Sequence, residues 1–204
     1  MASGSEQVTE QSVQQDTQAA YTAACAFFGE QVLGIGDEDW PLPTACAAWD
    51  VRSVVAHVVL GEAMVAELFA GGGVGRVTEV DASVLGPDRV ATWRGTAVAA
   101  LDAASVEGVL GASHLHPLGE LPGTVIVGFR VTENIVHGWD LARAVGADVE
   151  FPVGLAERCL DFWQPLVGST VGSHVTGGHF ADPVVPPDDA TAGVRLLALL
   201  GRAA

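Results

Sequence analysis

The run from Val51 to Ala70, "VRSVVAHVVLGEAMVAELFA", places apolar residues every three to four positions, the period of a helix with one buried face. Asp50 stands where an N-cap belongs, and the glycines at 71–73 end the run. The same spacing predicts a helix over Thr17–Leu33, stopped at Gly34, and a longer one over Thr124–Val145, stopped at Gly146. Pro87 is placed to open a helix reaching about Ala104, because a proline in the first turn forfeits no hydrogen bond. Pro152 to about Val167 and Asp188–Leu200 are further helix candidates. The connections between them are rich in Gly, Pro and Asp, and strand-like alternation is confined to Val109–Leu118 and the neighbourhood of Val184. The pattern predicts an all-α fold: a four-helix bundle with a crossover connection and extra carboxy-terminal helices.

Residues 1–16 are polar and lack aromatics, and are expected to form a disordered tail. Residues 17–204 are expected to form a single helical domain, long enough to bury a core. Charge narrows the partners. There are 25 acidic residues against 9 basic, a net charge of −16, and a field of that sign repels phosphate backbones. All the basic residues are arginine, which removes Schiff-base lysines and the P-loop lysine. With no signal peptide and no membrane-spanning apolar run, the expectation is a cytoplasmic protein with neither nucleic-acid nor membrane partners, as a monomer or homodimer. Cys25, Cys46 and Cys159 are odd in number and form no C-x-x-C pair, so free thiols in a reducing compartment are expected.

The chemistry concentrates in "VTENIVHGWDLARAVG", Val131–Gly146. Residues four apart on a helix stack on one face, so Glu133 and His137 point the same way, into a stripe shared with Ile126, Phe129, Val136 and Ala144. A carboxylate there is costly unless it is paired or holds a cation. His57 occupies an equivalent place on its own helix, flanked by Val54, Val58, Gly61 and Val65. Taken alone, a histidine such as His57 on an apolar face is more often a core residue than a ligand. Together, one His on one helix and a Glu/His pair on another match the way bundles build metal sites, and His/Glu/His leaves a fourth position for water or substrate. Arg130, three residues before Glu133, is the protein alternative to a metal as its partner.

Neighbouring residues keep two readings each. Asp140 either orients the His137 ring from outside the ligand set or pairs with Arg143. His114 and His116 form a two-histidine clip or merely pack a turn. His174 and His179 fold over the site or lie at the surface. Trp139 is expected to pack, Gly138 to admit a close backbone, and Glu62 to face solvent.

Three stretches carry a family resemblance: "ENIVHGWDLARAVG", "WDVRSVVAHVVLGE" and "VPPDDATAGVRLLALLGR". They resemble the metal-binding family related to the amino-terminal domain of mycothiol-dependent maleylpyruvate isomerase, within the DinB-like four-helix superfamily. The resemblance implies a DinB-like bundle with metal ligands His57, Glu133 and His137. Many superfamily members carry His where Glu133 stands, and the isomerase branch carries Glu. The isomerase also has a further carboxy-terminal domain for which this sequence leaves no room, so the resemblance implies thiol handling more strongly than isomerisation.

The expected function is that of a metal-dependent thiol transferase or isomerase. A divalent metal would activate a low-molecular-weight thiol such as mycothiol for attack on a small electrophile. Zinc is the first choice, and nickel, iron and manganese are compatible with the ligand types. Two alternatives stay open: a Lewis-acid enzyme that uses no thiol, and a metal- or ligand-binding protein without turnover.

Overall fold

Six α-helices and one hairpin account for most of the residues described in the computed structural model, which are 4–47, 49–73, 80–166 and 182–203. The helices are α1 (Gly4–Leu33), α2 (Val51–Phe69), α3 (Arg89–Ala104), α4 (Gly123–Ala144), α5 (Leu155–Trp163) and α6 (Ala192–Leu199). The hairpin pairs β1 (Ser113–His116) with β2 (Gly119–Pro122), antiparallel, with His114 opposite Leu121.

Local chemistry explains most of the boundaries. Asp50 caps α2 by accepting from the Ser53 backbone N–H at 2.8 Å and the Ser53 hydroxyl at 2.6 Å. α3 opens one step later than expected: Asp88 caps it through the Ala91 N–H at 2.9 Å, which leaves Pro87 outside the helix. α4 has no side-chain cap, and backbone carbonyls take its first donors. The Gly123 and Thr124 N–H groups reach Ala112 O and Leu110 O at 3.0 and 2.9 Å. A Cβ on Gly123 would lie 2.5 Å from Val109 O, so only glycine permits that approach. Gly146, at φ +76°, ends α4 in the left-handed conformation.

The first helix differs more from expectation. It starts at Gly4, well before Thr17. Yet no side chain from Gln11 to Asp16 is buried and Thr17 is, so burial sets in at Thr17 where the apolar pattern begins. α5 and α6 are both shorter than predicted. α6 is capped by Thr191, which accepts from the Val194 N–H, and so begins after Asp188. The alternation near Val109–Leu118 becomes the hairpin, whereas Val184 lies in no strand and instead donates its N–H to Ala198 O at 2.9 Å.

The bundle packs α1 against α4 and α3, and α2 against α3 and α4. The connections α1→α2 and α3→α4 therefore join helices across a diagonal, in keeping with the crossover connection expected. α5 covers α4 and packs on α6. Enclosed in this way, α4 is buried from Ile126 to Ala142 except at Gly128. A helix with no solvent face must satisfy its polar side chains internally, and α4 carries Arg130, Thr132, Glu133, Asn134, His137 and Asp140. Gly138 brings α1 close, as expected: a Cβ there would stand 2.7 Å from the Phe27 ring and 3.5 Å from Phe28 Cα.

Candidate metal centre

The three candidate ligands meet between α2 and α4. His57 Nε2 lies 2.6 Å from Glu133 Oε2, and His137 Nε2 lies 3.1 Å from the same oxygen. The ligand atoms of all three residues fall within 4.8 Å of one another. A cation with ligands at ~2.0–2.2 Å holds its ligand atoms roughly 3.5 Å apart. The two spacings to Glu133 are shorter than that, as hydrogen-bonded atoms are, and two imidazole nitrogens with one carboxylate oxygen suit a borderline divalent ion. The side chains of His57 and Glu133 retain 19% and 12% of their exposure and His137 only 1%, so the centre opens to solvent on the His57 side.

Asp140 resolves to one of its two readings. His137 Nδ1 donates to Asp140 Oδ2 at 2.9 Å, which turns Nε2 toward Glu133 and His57. Arg143 does not take Asp140. It reaches out to Asp148 at 3.1 Å and lies over the Trp139 ring. The cation on Asp140 is Arg202, beyond α6, at 2.8 Å from Oδ2 and 3.3 Å from Oδ1. A residue near the end of the sequence thus steadies an imidazole in the middle of the bundle. No local pattern announces such a contact.

The loop before α2 forms the roof. The Trp49 ring lies 4.6 Å from the His57 ring and 5.8 Å from the His137 ring, centre to centre. Thr44 fixes the loop by donating its hydroxyl to Trp49 O at 2.8 Å, and Pro43 bridges to Asp50. Cys46 sits in this loop beside Arg202. Burial pushes its thiol up, although the arginine works against that. Cys25 and Cys159 are buried, free and likewise raised by burial.

One expectation is corrected one turn away, and one alternative is set aside with it. Glu62 is not solvent-facing but wholly buried, and Arg130 pairs with it instead of with Glu133. Arg130 places Nη2 at 3.0 Å and Nε at 3.3 Å from Glu62 Oε1. Asn134 donates to the same oxygen at 2.7 Å, and the Tyr21 hydroxyl donates to the other. With four donors around it, the carboxylate can leave water.

The electrostatics of the centre follow from this partition. Burial opposes charge on Glu133, yet the two imidazoles overcome it and hold the carboxyl well below the usual range. Burial likewise opposes charge on His137, but hydrogen bonds to Asp140 and Glu133 raise it. His57 has one carboxylate, and there burial prevails and lowers it. For Asp140, His137 and Arg202 outweigh burial and lower its carboxyl.

The other histidines are occupied elsewhere. His114 has its ring nitrogens 3.1 Å from Leu68 O and 2.8 Å from Val109 O, and His116 accepts from the Leu118 N–H, so neither turns toward a shared ion. His174 and His179 lie outside the described residues. Trp139 is buried in the core, as expected.

Comparison with known proteins bears on the family and the fold. The family described as "Mycothiol maleylpyruvate isomerase N-terminal domain" matches residues 21–142, a span that holds His57, Glu133, His137 and Asp140 but not Arg202. Uncharacterised proteins from two strains of Mycobacterium tuberculosis are 31% identical over 160 residues, covering 78% of this chain and 83% of theirs. The crystal structure of the mycothiol-dependent maleylpyruvate isomerase superposes with a TM-score of 0.59 at 18% identity, covering 73% of this chain and 67% of that one, which establishes a common helical fold. Among the described residues no helix is long and apolar enough to cross a membrane. The match over residues 21–142 places this chain in the mycothiol maleylpyruvate isomerase N-terminal domain family.

Proposed function

We propose that the chain is a metal-dependent enzyme that activates a low-molecular-weight thiol, of the mycothiol class, for attack on a small electrophile. One observation carries the reading. Of the carboxylates buried around α4, Glu62 has Arg130 and Asp140 has Arg202, whereas among the described residues Glu133 is met by two imidazoles and no arginine. A carboxylate and two imidazole nitrogens converging at a partly open site are a donor set that fits a divalent cation. Family membership supports the same reading and supplies the thiol.

Each residue then has a task. His57, Glu133 and His137 would hold the ion, with zinc the first choice, and Asp140 would fix the His137 ring so that Nε2 faces inward. When bound, the ion lowers the pKa of a thiol taking its open position, which makes the thiolate available at neutral pH. Trp49 excludes water above both rings, and the exposed edge of His57 and Glu133 marks the side on which small molecules enter.

The test is metal analysis of protein purified without a metal-affinity step, followed by an assay of electrophile depletion with and without thiol. About one divalent ion per chain and thiol-dependent depletion are expected. His57→Ala should lose most of the ion while keeping its helical spectrum, because the site is a small part of a large core. Equal metal content in wild type and His57→Ala would falsify the metal reading. Turnover without thiol would point to Lewis-acid chemistry alone.

A further inference from the structure

Glu133 has a rival for its charge on its own helix. Arg130 lies three residues earlier, a spacing at which side chains are neighbours and Cβ atoms sit about 5–6 Å apart. A guanidinium presents a fork of donors that matches a carboxylate, so an Arg130–Glu133 pair would occupy the oxygens a cation needs.

The structure shows the guanidinium turned the other way. It binds Glu62 through two nitrogens and Val58 O at 3.2 Å, and is 4% exposed. Space for it exists because residue 61 is glycine; a Cβ there would collide with the guanidinium. Glu62 is in turn held by Tyr21 of α1 and Asn134 of α4, and so cannot follow Arg130 elsewhere.

We propose that Glu62 is a positioning residue that holds Arg130 away from Glu133 and so keeps the Glu133 carboxylate available to the metal. The inference rests on the metal reading above. Without Glu62, a buried guanidinium cannot remain unpaired, and the carboxylate one turn along the helix is its nearest replacement. Glu62 therefore acts on the centre through Arg130, not by touching the ion.

Zinc affinity of the metal-free full chain, measured by competition with a chromophoric chelator, tests this in wild type, Glu62→Gln, Arg130→Met and the double variant. Glu62→Gln should weaken zinc binding ~10-fold or more, the scale on which outer-shell changes act. The double variant should recover wild-type affinity, because the competing cation has gone, and Arg130→Met should bind at least as tightly as wild type. A merely structural pair predicts the reverse, with no rescue in the double variant. Unchanged affinity in Glu62→Gln, or equal losses in the single and double variants, would overturn the proposal. If Glu62→Gln does not fold, the other two variants decide, and a ~10-fold loss in either overturns it. If wild type binds neither zinc nor nickel, iron or manganese, the proposed function fails, and the crystal structure of metal-free Glu62→Gln still tests whether Glu62 holds Arg130 off Glu133. Arg130 turned onto Glu133 supports it, and Arg130 left beside the substituted side chain at position 62 refutes it.

Discussion

At the scale of single residues, Glu133 shows how far a sequence can be read. Its helical spacing to His137 and its apolar surroundings were enough to mark it as a carboxylate in need of a partner. The identity of that partner depended on where Arg130 pointed, and the sequence offered both answers. The structure changes one expectation. If Glu133 were an unpaired buried charge, Glu133→Gln would stabilise the metal-free protein. In fact its oxygen contacts both imidazoles, at 2.6 and 3.1 Å. Glu133→Gln should therefore weaken metal binding and also destabilise the metal-free protein, by about 1.5–3 kcal/mol, the usual worth of a hydrogen bond to a charged group. Urea denaturation with chelator present reads the sign, and a more stable variant would show that the imidazoles contribute no net pairing. Glu62 failed at the same scale for an opposite reason. As one acidic residue on an amphipathic helix it looked solvated, and its three partners come from Tyr21, Arg130 and Asn134, which no local window contains.

At the scale of elements, the helices with strong periodicity were legible, and so were the faces that carry the candidate ligands. α2 and α4 lie within a residue or two of expectation because Asp50, Gly123 and Gly146 fix their ends locally. α5 and α6 were overextended, since short amphipathic pieces are ended by packing more than by sequence. The contact between the end of the chain and α4 was not legible at all. Arg202 follows α6 and meets Asp140 across 62 positions of sequence. Its work is positional: it holds the carboxylate that holds His137. Arg202→Met should keep the three ligands yet lower zinc affinity about 10–100-fold, because the ring they share is no longer oriented. It should also destabilise the fold, by about 3–5 kcal/mol if Asp140 is left buried and charged. A variant with wild-type affinity would assign Arg202 to stability alone, and isothermal titration with denaturation on the same protein separates the two effects.

At the scale of the whole molecule, two charge systems oppose each other. The net charge of −16 makes the folded chain repel itself at neutral pH, and mild acidification relieves that repulsion. The buried carboxylates respond in the opposite sense. Asp140 and Glu133 have folded pKa values held below their unfolded ones, by His137 and Arg202 at the first and by the two imidazoles at the second, against the pull of burial. Groups lowered in this way add stability that is fully present above the unfolded pKa, near 4, and is lost as pH falls through the folded value. Metal-free protein should therefore gain or hold stability from pH 7 toward about 5 and lose it steeply below about 4. Asp140→Asn isolates the buried share, since it leaves the surface charge almost untouched. The variant should be less stable than wild type at pH 6, and the gap should narrow as pH drops below about 4, because the unfolded wild type then takes up a proton that folded Asp140 resists. Denaturation curves of both proteins in chelator at pH 6, 5, 4 and 3 give the comparison. A gap that stays constant across that range would mean that Asp140 contributes packing and hydrogen bonds but no linked proton, and that the His137–Asp140–Arg202 chain is not held together by its charge.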